Sequence, residues 1–163
     1  MNIGDAKIRG VEFSYTNKLS FGLGVTATVT FASSDLKLNR RGVGVQSASV
    51  MGISDVGYSI TPFFESGPFE INASYTYRSS YTTDPGAVVT SLPTPEDVVA
   101  FFQDGFGILD VGASFKLRPN IEIFAQAVNL LDQRQVSFAG TRDEFSEIHT
   151  IGRSVNFGVR AQF

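Results

Sequence analysis

From Leu19 to Phe31 the chain alternates without a fault. Leu19, Phe21, Leu23, Val25, Ala27, Val29 and Phe31 are apolar, and Ser20, Gly22, Gly24, Thr26, Thr28 and Thr30 between them are small or polar. The same period returns at the end of the chain, from Arg153 to Phe163. There Val155, Phe157, Val159, Ala161 and Phe163 alternate with Ser154, Asn156, Gly158, Arg160 and Gln162. Residues two apart share one face of a β-strand, so each stretch predicts a strand with one apolar and one polar face.

Weaker versions of the pattern fill the chain between. Ile8 to Tyr15 sets Val11, Phe13 and Tyr15 against Gly10, Glu12 and Ser14. Asp55 to Phe64 sets Val56, Tyr58, Ile60 and Phe64 against Asp55, Gly57, Ser59 and Thr61, with Pro62 near the end, where loss of one ladder bond is tolerable. A fourth strand sets Ile71, Ala73, Tyr75, Tyr77 and Tyr81 against Glu70, Asn72, Ser74, Thr76, Arg78 and Ser80. Ile108 to Leu117 sets Leu109, Val111, Ala113, Phe115 and Leu117 against Asp110, Gly112, Ser114 and Lys116. In Ile121 to Leu130 the pattern is muddled, because Ile123 and Ala125 compete with Phe124 and Val128 for the apolar side. A bulge would reconcile them, and the facing of this strand is left open.

The connections alternate in length. Thr16-Asn17-Lys18, Glu65-Ser66-Gly67-Pro68 and Arg118-Pro119-Asn120 are short turns, whereas Ser33 to Ile53, Thr82 to Gly107 and Asp132 to Gly152 are long. Within the second long connection, Thr94-Pro95-Glu96-Asp97 offers an N-cap hydroxyl, a first-position Pro and first-turn acids, and Gly105 follows Val98 to Gln103 as a stop. These signals predict a short helix riding on that loop.

Two-faced strands joined by alternating short and long links describe an all-β, antiparallel, up-and-down transmembrane barrel. Its outward side chains meet lipid, its inward ones meet water, its periplasmic turns are short and its extracellular loops long. About seven strands result, the first beginning on the long-loop side, while single-chain bacterial barrels usually have an even number. Seven strands are therefore expected to be a C-terminal piece of a larger barrel, since free strand edges cannot be satisfied in lipid. Two other readings stay open: a soluble β-sandwich binding module, with the apolar faces packed sheet on sheet, and a small outer-membrane adhesin or enzyme with an eighth strand.

Composition fits the barrel. The 163 residues carry a net charge of -3, no Cys, no Trp, 15 Phe and 16 Gly, and hold no apolar run long enough for a membrane helix. The weak acidic balance gives no footprint for nucleic acid. Met1 to Asp5 shows no export signal, so the sequence is expected to be incomplete.

Ala6-Lys7-Ile8-Arg9-Gly10-Val11-Glu12, Tyr75-Thr76-Tyr77-Arg78-Ser79-Ser80-Tyr81, Asn129-Leu130-Leu131-Asp132 and Gly152-Arg153 before the last strand resemble, in order and spacing, the C-terminal barrel strands of TonB-dependent outer-membrane receptors. The resemblance implies a barrel of about 22 strands filled by an N-terminal plug domain. It also implies active uptake of a scarce nutrient (siderophore, cobalamin or carbohydrate) driven by the TonB complex of the inner membrane. Plug, TonB box and most of the barrel are missing from these residues. Phe163, closing the last strand, resembles the signal read by the barrel-assembly machinery.

Candidate sites follow from this placement. Phe101, Phe102 and Gln103 on the loop helix are candidates for first contact with substrate, or for packing that helix onto its neighbours. Arg78, Asp110, Lys116, Arg160 and Glu12 are expected to face the lumen, as plug contacts or as ordinary solvated positions. Arg40, Arg41, Arg142, Asp143 and Glu144 fall in surface loops. His149, the only histidine, has Ser146 and Ser154 nearby in sequence, but no spacing marks a catalytic triad. No enzyme, metal or cofactor is expected: Gly42-Val43-Gly44 lacks the strand, helix and third Gly of a nucleotide loop, and no ligand cluster is present.

Overall fold

The computed structural model describes residues 4–40, 44–88 and 98–162. Most of the regular alternation turns into strands, and the strands pair in the order the turn lengths dictate. The first short turn is corrected, since Thr16-Asn17-Lys18 is paired strand and the chain turns at Leu19 to Gly22, where Gly22 has a left-handed backbone, φ 97°. β1 (Gly4–Lys18), β2 (Leu23–Arg40), β4 (Val56–Ser66), β5 (Phe69–Arg78), β8 (Phe106–Arg118), β9 (Ile121–Val128) and β12 (Ser154–Ala161) form one antiparallel wall in that order. The short strand β3 (Gly44–Ala48) pairs with the far end of β2. The seven wall strands match the seven read from the sequence in number and order; β2 begins at Leu23 rather than Leu19, and Tyr81, read as the end of the fourth strand, opens a strand outside the wall.

From Val11 to Thr16 the β1–β2 register keeps each face uniform. Val11, Phe13 and Tyr15 stand opposite Phe31, Val29 and Ala27, while Glu12, Ser14 and Thr16 stand opposite Thr30, Thr28 and Thr26. The polar row is cross-linked by hydroxyls, Ser14 Oγ to Thr28 Oγ1 at 3.2 Å and Thr30 Oγ1 donating to Glu12 at 3.1 Å. Such cross-strand pairs each contribute about 0.2–1 kcal/mol.

Among the described residues no second layer covers the apolar face. Phe13 and Phe21 are each 61% exposed and Phe157 87%. A sandwich would bury these rows, so the soluble reading loses its physical basis; a face this apolar and this open is what a lipid-facing wall presents.

The muddled strand resolves without a bulge of its own. Ile121, Ile123, Ala125 and Ala127 pair with the apolar residues of β12, and Phe124 stands on the polar face opposite Gly158. A Cβ at Gly158 would sit 2.7 Å from the Phe124 ring. The ring thus replaces the side chain that glycine lacks, which explains a large apolar residue on the polar side. Phe63 covers Gly24 in the same way. The register shift falls on the preceding strand, between Lys116 and Arg118.

A second sheet is built from the second and third long connections. β6 (Tyr81–Val88), β7 (Val98–Gln103), β10 (Arg134–Ala139) and β11 (Phe145–Thr150) pair in the order β11-β10-β7-β6. The helix expected on the second loop is therefore corrected: Val98–Gln103 is strand, and Thr94 to Asp97 lie outside the described residues. Val98, Val99, Phe101 and Phe102 favour a pleated surface, and partners on both sides outweigh a local capping signal.

Candidate functional site: the loop sheet

The three long connections leave the wall at one end and are tied to one another there. Two short breaks, Ser79-Ser80 and Asp104-Gly105, separate the wall hairpin β5/β8 from the loop hairpin β6/β7. At the break a Cβ on Gly105 would meet the Arg78 carbonyl and the Ser80 nitrogen at 3.1 Å, so glycine lets the strands pass. The first long connection docks beside it: Gly52 N–H donates to the Thr82 carbonyl at 2.9 Å, and Ser54 Oγ donates to the Ser79 carbonyl at 2.8 Å. The second and third connections meet where β7 pairs with β10, Phe101, Phe102 and Gln103 standing opposite Ala139, Phe138 and Ser137.

The three candidate contact residues thus sit at the centre of this sheet. Phe102 stacks on Phe138, with ring centroids 5.2 Å apart and planes 21° from parallel. Gln103 is buried; its Nε2 donates to the Val136 carbonyl at 2.9 Å and its Oε1 accepts from Ser137 Oγ at 3.1 Å. Both side chains are engaged in holding β7 to β10, and Phe101 is half-buried beside them.

The candidate lumen residues divide between the two ends of the wall. At the loop end, the Arg78 guanidinium donates to the Gly52 carbonyl at 2.7 Å and to Ser54 Oγ at 3.0 Å and lies 3.9 Å from the Tyr81 ring centroid. Asp110, also at that end, accepts the Asn129 N–H at 2.8 Å. At the short-turn end, Arg160 pairs with Glu122 at 2.8 Å, and Lys116 stands opposite that same Glu122. Glu12 is occupied by Thr30. No single cluster unites them.

Arg142 reaches across to Asp104 at 2.9 Å and so joins the third connection to the second; Asp143 and Glu144 are exposed beside it. Arg41, the Arg40 side chain and Phe163 lie outside the described residues. His149 stands on the outer strand β11, opposite Gln135, with Ser146 at a register shift and Ser154 opening β12. Among the described residues no hydrogen bond joins it to either serine, and no three His, Asp or Glu converge as metal ligands.

Two further contributors were not among the site residues expected from the sequence. Thr82 is buried under the docked first connection, and Asn129 is 1% exposed with a left-handed backbone, φ 54°. An asparagine just past an alternating run and ahead of Leu-Leu-Asp is a legible turn signal, since Asn adopts that conformation more readily than most residues. Its burial is not legible.

At this end of the molecule backbone, hydroxyl and aromatic groups tie the three long connections to one another. The model of the TonB dependent receptor-like, beta-barrel family matches residues 1–130. No curated protein and no solved structure gives a match. With a seven-stranded two-faced wall, its long connections gathered at one end and most of its length matched, the chain belongs to the TonB-dependent receptor β-barrel family, a family of outer-membrane receptors and transporters.

Proposed function

We propose that this chain is the C-terminal part of a TonB-dependent receptor barrel and that its loop sheet makes the first contact with a scarce nutrient of the siderophore, cobalamin or carbohydrate class. The observation that carries the reading is the gathering of all three long connections into one tied unit at one end of a lipid-facing wall. Binding residues favour loops held on a rigid scaffold, and here the loops scaffold one another.

The edges of the wall support the larger barrel. β1 and β12 each pair on one side only among the described residues, and both run from the loop end toward the short-turn end. Joining these two edges to each other would make a parallel pair. An antiparallel barrel therefore needs at least one further strand between them, and unpaired edges are costly in lipid.

The polar face would then look onto the plug domain, with Lys116 and Arg160 toward the periplasmic rim and Arg78 and Asp110 toward the loops. Lipid, the barrel-assembly machinery and the TonB complex are the expected partners. The test is uptake in cells carrying the full-length receptor. Accumulation of one nutrient class that stops when TonB is removed supports the reading. A correctly inserted receptor that accumulates none of the three classes contradicts it.

A further inference from the structure

The last long connection leaves and rejoins the wall through a single side chain. Asn129 follows β9 directly, and its amide group is fully engaged. Oδ1 accepts the Gln133 N–H at 2.9 Å, and Nδ2 donates to the Gln133 carbonyl at 3.1 Å and to the Gly152 carbonyl at 3.0 Å. Its own N–H is held by Asp110 of β8 at 2.8 Å, and its carbonyl accepts the Asp132 N–H at 2.8 Å. Gln133 is the residue before β10 and Gly152 stands two residues before β12. One buried amide therefore clamps both stems of the β10–β11 hairpin and anchors them to the wall.

Beyond the clamp, among the described residues, the hairpin is held by β7 and by the ion pair of Arg142 with Asp104 just past it. Three register pairs join β10 to β7, flanked by Asp104 N–H to the Val136 carbonyl at 2.8 Å and Gly140 N–H to the Ala100 carbonyl at 2.9 Å. A three-pair junction stays in register only if the stems that present β10 to it are fixed. We propose that Asn129 is the positioning residue of the capture surface: it sets where β10 meets β7, and so the shape of the loop sheet, without itself touching substrate. The capture role rests on the function proposed above; the clamp rests on geometry alone.

The chemistry requires this residue type. An amide supplies an acceptor and two donors from one planar group, and all of them are used. Aspartate keeps the acceptor, loses both donors and brings a second carboxylate toward Asp110. Glycine keeps the left-handed backbone and removes every side-chain bond, so it separates the conformational role from the clamping role.

The test is hydrogen exchange on the full-length receptor in nanodiscs, comparing Asn129→Gly with the parent. Protection of the Asp104 and Gly140 amides is expected to fall by at least about tenfold, because three side-chain hydrogen bonds are lost. Protection of the Val29 and Thr30 amides in β2 should stay unchanged. Unchanged protection at Asp104 and Gly140 overturns the clamp, and so does an equal loss throughout the wall. Should the glycine variant fail to insert, Asn129→Asp gives the same reading, with Gln133 still protected and Asp104 and Gly140 released. If the parent receptor binds none of the three nutrient classes, the capture role fails while the exchange result still decides the clamp.

Discussion

Gly10 stands opposite Ala32 in the β1–β2 hairpin, and across this pair the apolar side of the hairpin changes over. On the short-turn side of it, Val11, Phe13, Val29 and Phe31 are the apolar, odd-numbered row. On the loop side the odd positions are Asp5, Lys7, Arg9, Asp35 and Lys37, with Lys7 opposite Asp35 and Asp5 opposite Lys37, and the apolar residues Ile8 and Leu36 take even positions. Strand and pairing continue while the solvent of each face is exchanged. The pair therefore marks where the lipid-facing band ends.

This boundary separates two charge substitutions on the same strand and the same face. Phe13→Glu places a carboxylate in the band and is expected to block assembly of the full-length receptor. Lys7→Glu lies beyond the band and should assemble at the parent's level. Heat-modifiable mobility of outer-membrane fractions reads both, and equal behaviour of the two variants would refute the boundary.

Within the band the sides should differ as sharply. Ala27 lies on the apolar face between Tyr15 and Ile60, and Thr28 on the polar face between Ser14 and Ser59. Ala27→Arg near the middle of the band is expected to cost about 2–4 kcal/mol, whereas Thr28→Arg should cost less than about 1 kcal/mol. Chemical unfolding from vesicles measures both.

Glycines beneath aromatic rings give a packing prediction. A Cβ at Gly24 would overlap the Phe63 ring and stand 2.8 Å from the Asn17 carbonyl, which is backbone and has little room to yield. Gly24→Val is expected to destabilise the receptor by about 1–3 kcal/mol, in the range of overpacked sites. Pairing it with Phe63→Ala should restore only part of that loss, because the carbonyl contact remains. Full restoration in the double variant would mean the ring alone sets the limit.

At the short-turn end Glu65 stands directly opposite Glu70, and Lys18 is ion-paired with Glu65. Like charges facing each other across strands are unfavourable by about 0.2–1 kcal/mol. Glu70→Gln should therefore raise stability by that amount, and removal of Lys18 should enlarge the gain. Urea unfolding of the single and double variants tests the coupling.

Seven wall strands were legible because one face of each meets a different solvent from the other, and period two survives every turn. The outer halves of β1 and β2 and the strand β3 were not legible. At Gly10 and Ala32 the phase of the alternation reverses, so continuing strand reads as a polar loop. The loop sheet escaped for a related reason: β6, β7, β10 and β11 are pinned by one another, and Phe102 on Phe138 or Gln103 on Val136 are contacts between residues more than thirty apart. Local cues near Thr94 pointed to a helix where Val98–Gln103 found strand partners instead. Phe124 blurred its own strand because covering Gly158 is a cross-strand need, invisible along one segment.

The central claim is that from Leu23 to Phe31 the odd-numbered side chains of β2 touch hydrocarbon and the even-numbered ones touch water. Nitroxide labels placed singly from Thr26 to Phe31 in the full-length receptor, reconstituted in bilayers, test it most directly. Collision with dissolved oxygen should peak at positions 27, 29 and 31, and collision with an aqueous nickel chelate at 26, 28 and 30. A reversed alternation, or labels shielded from both reagents on the odd side, would contradict the account.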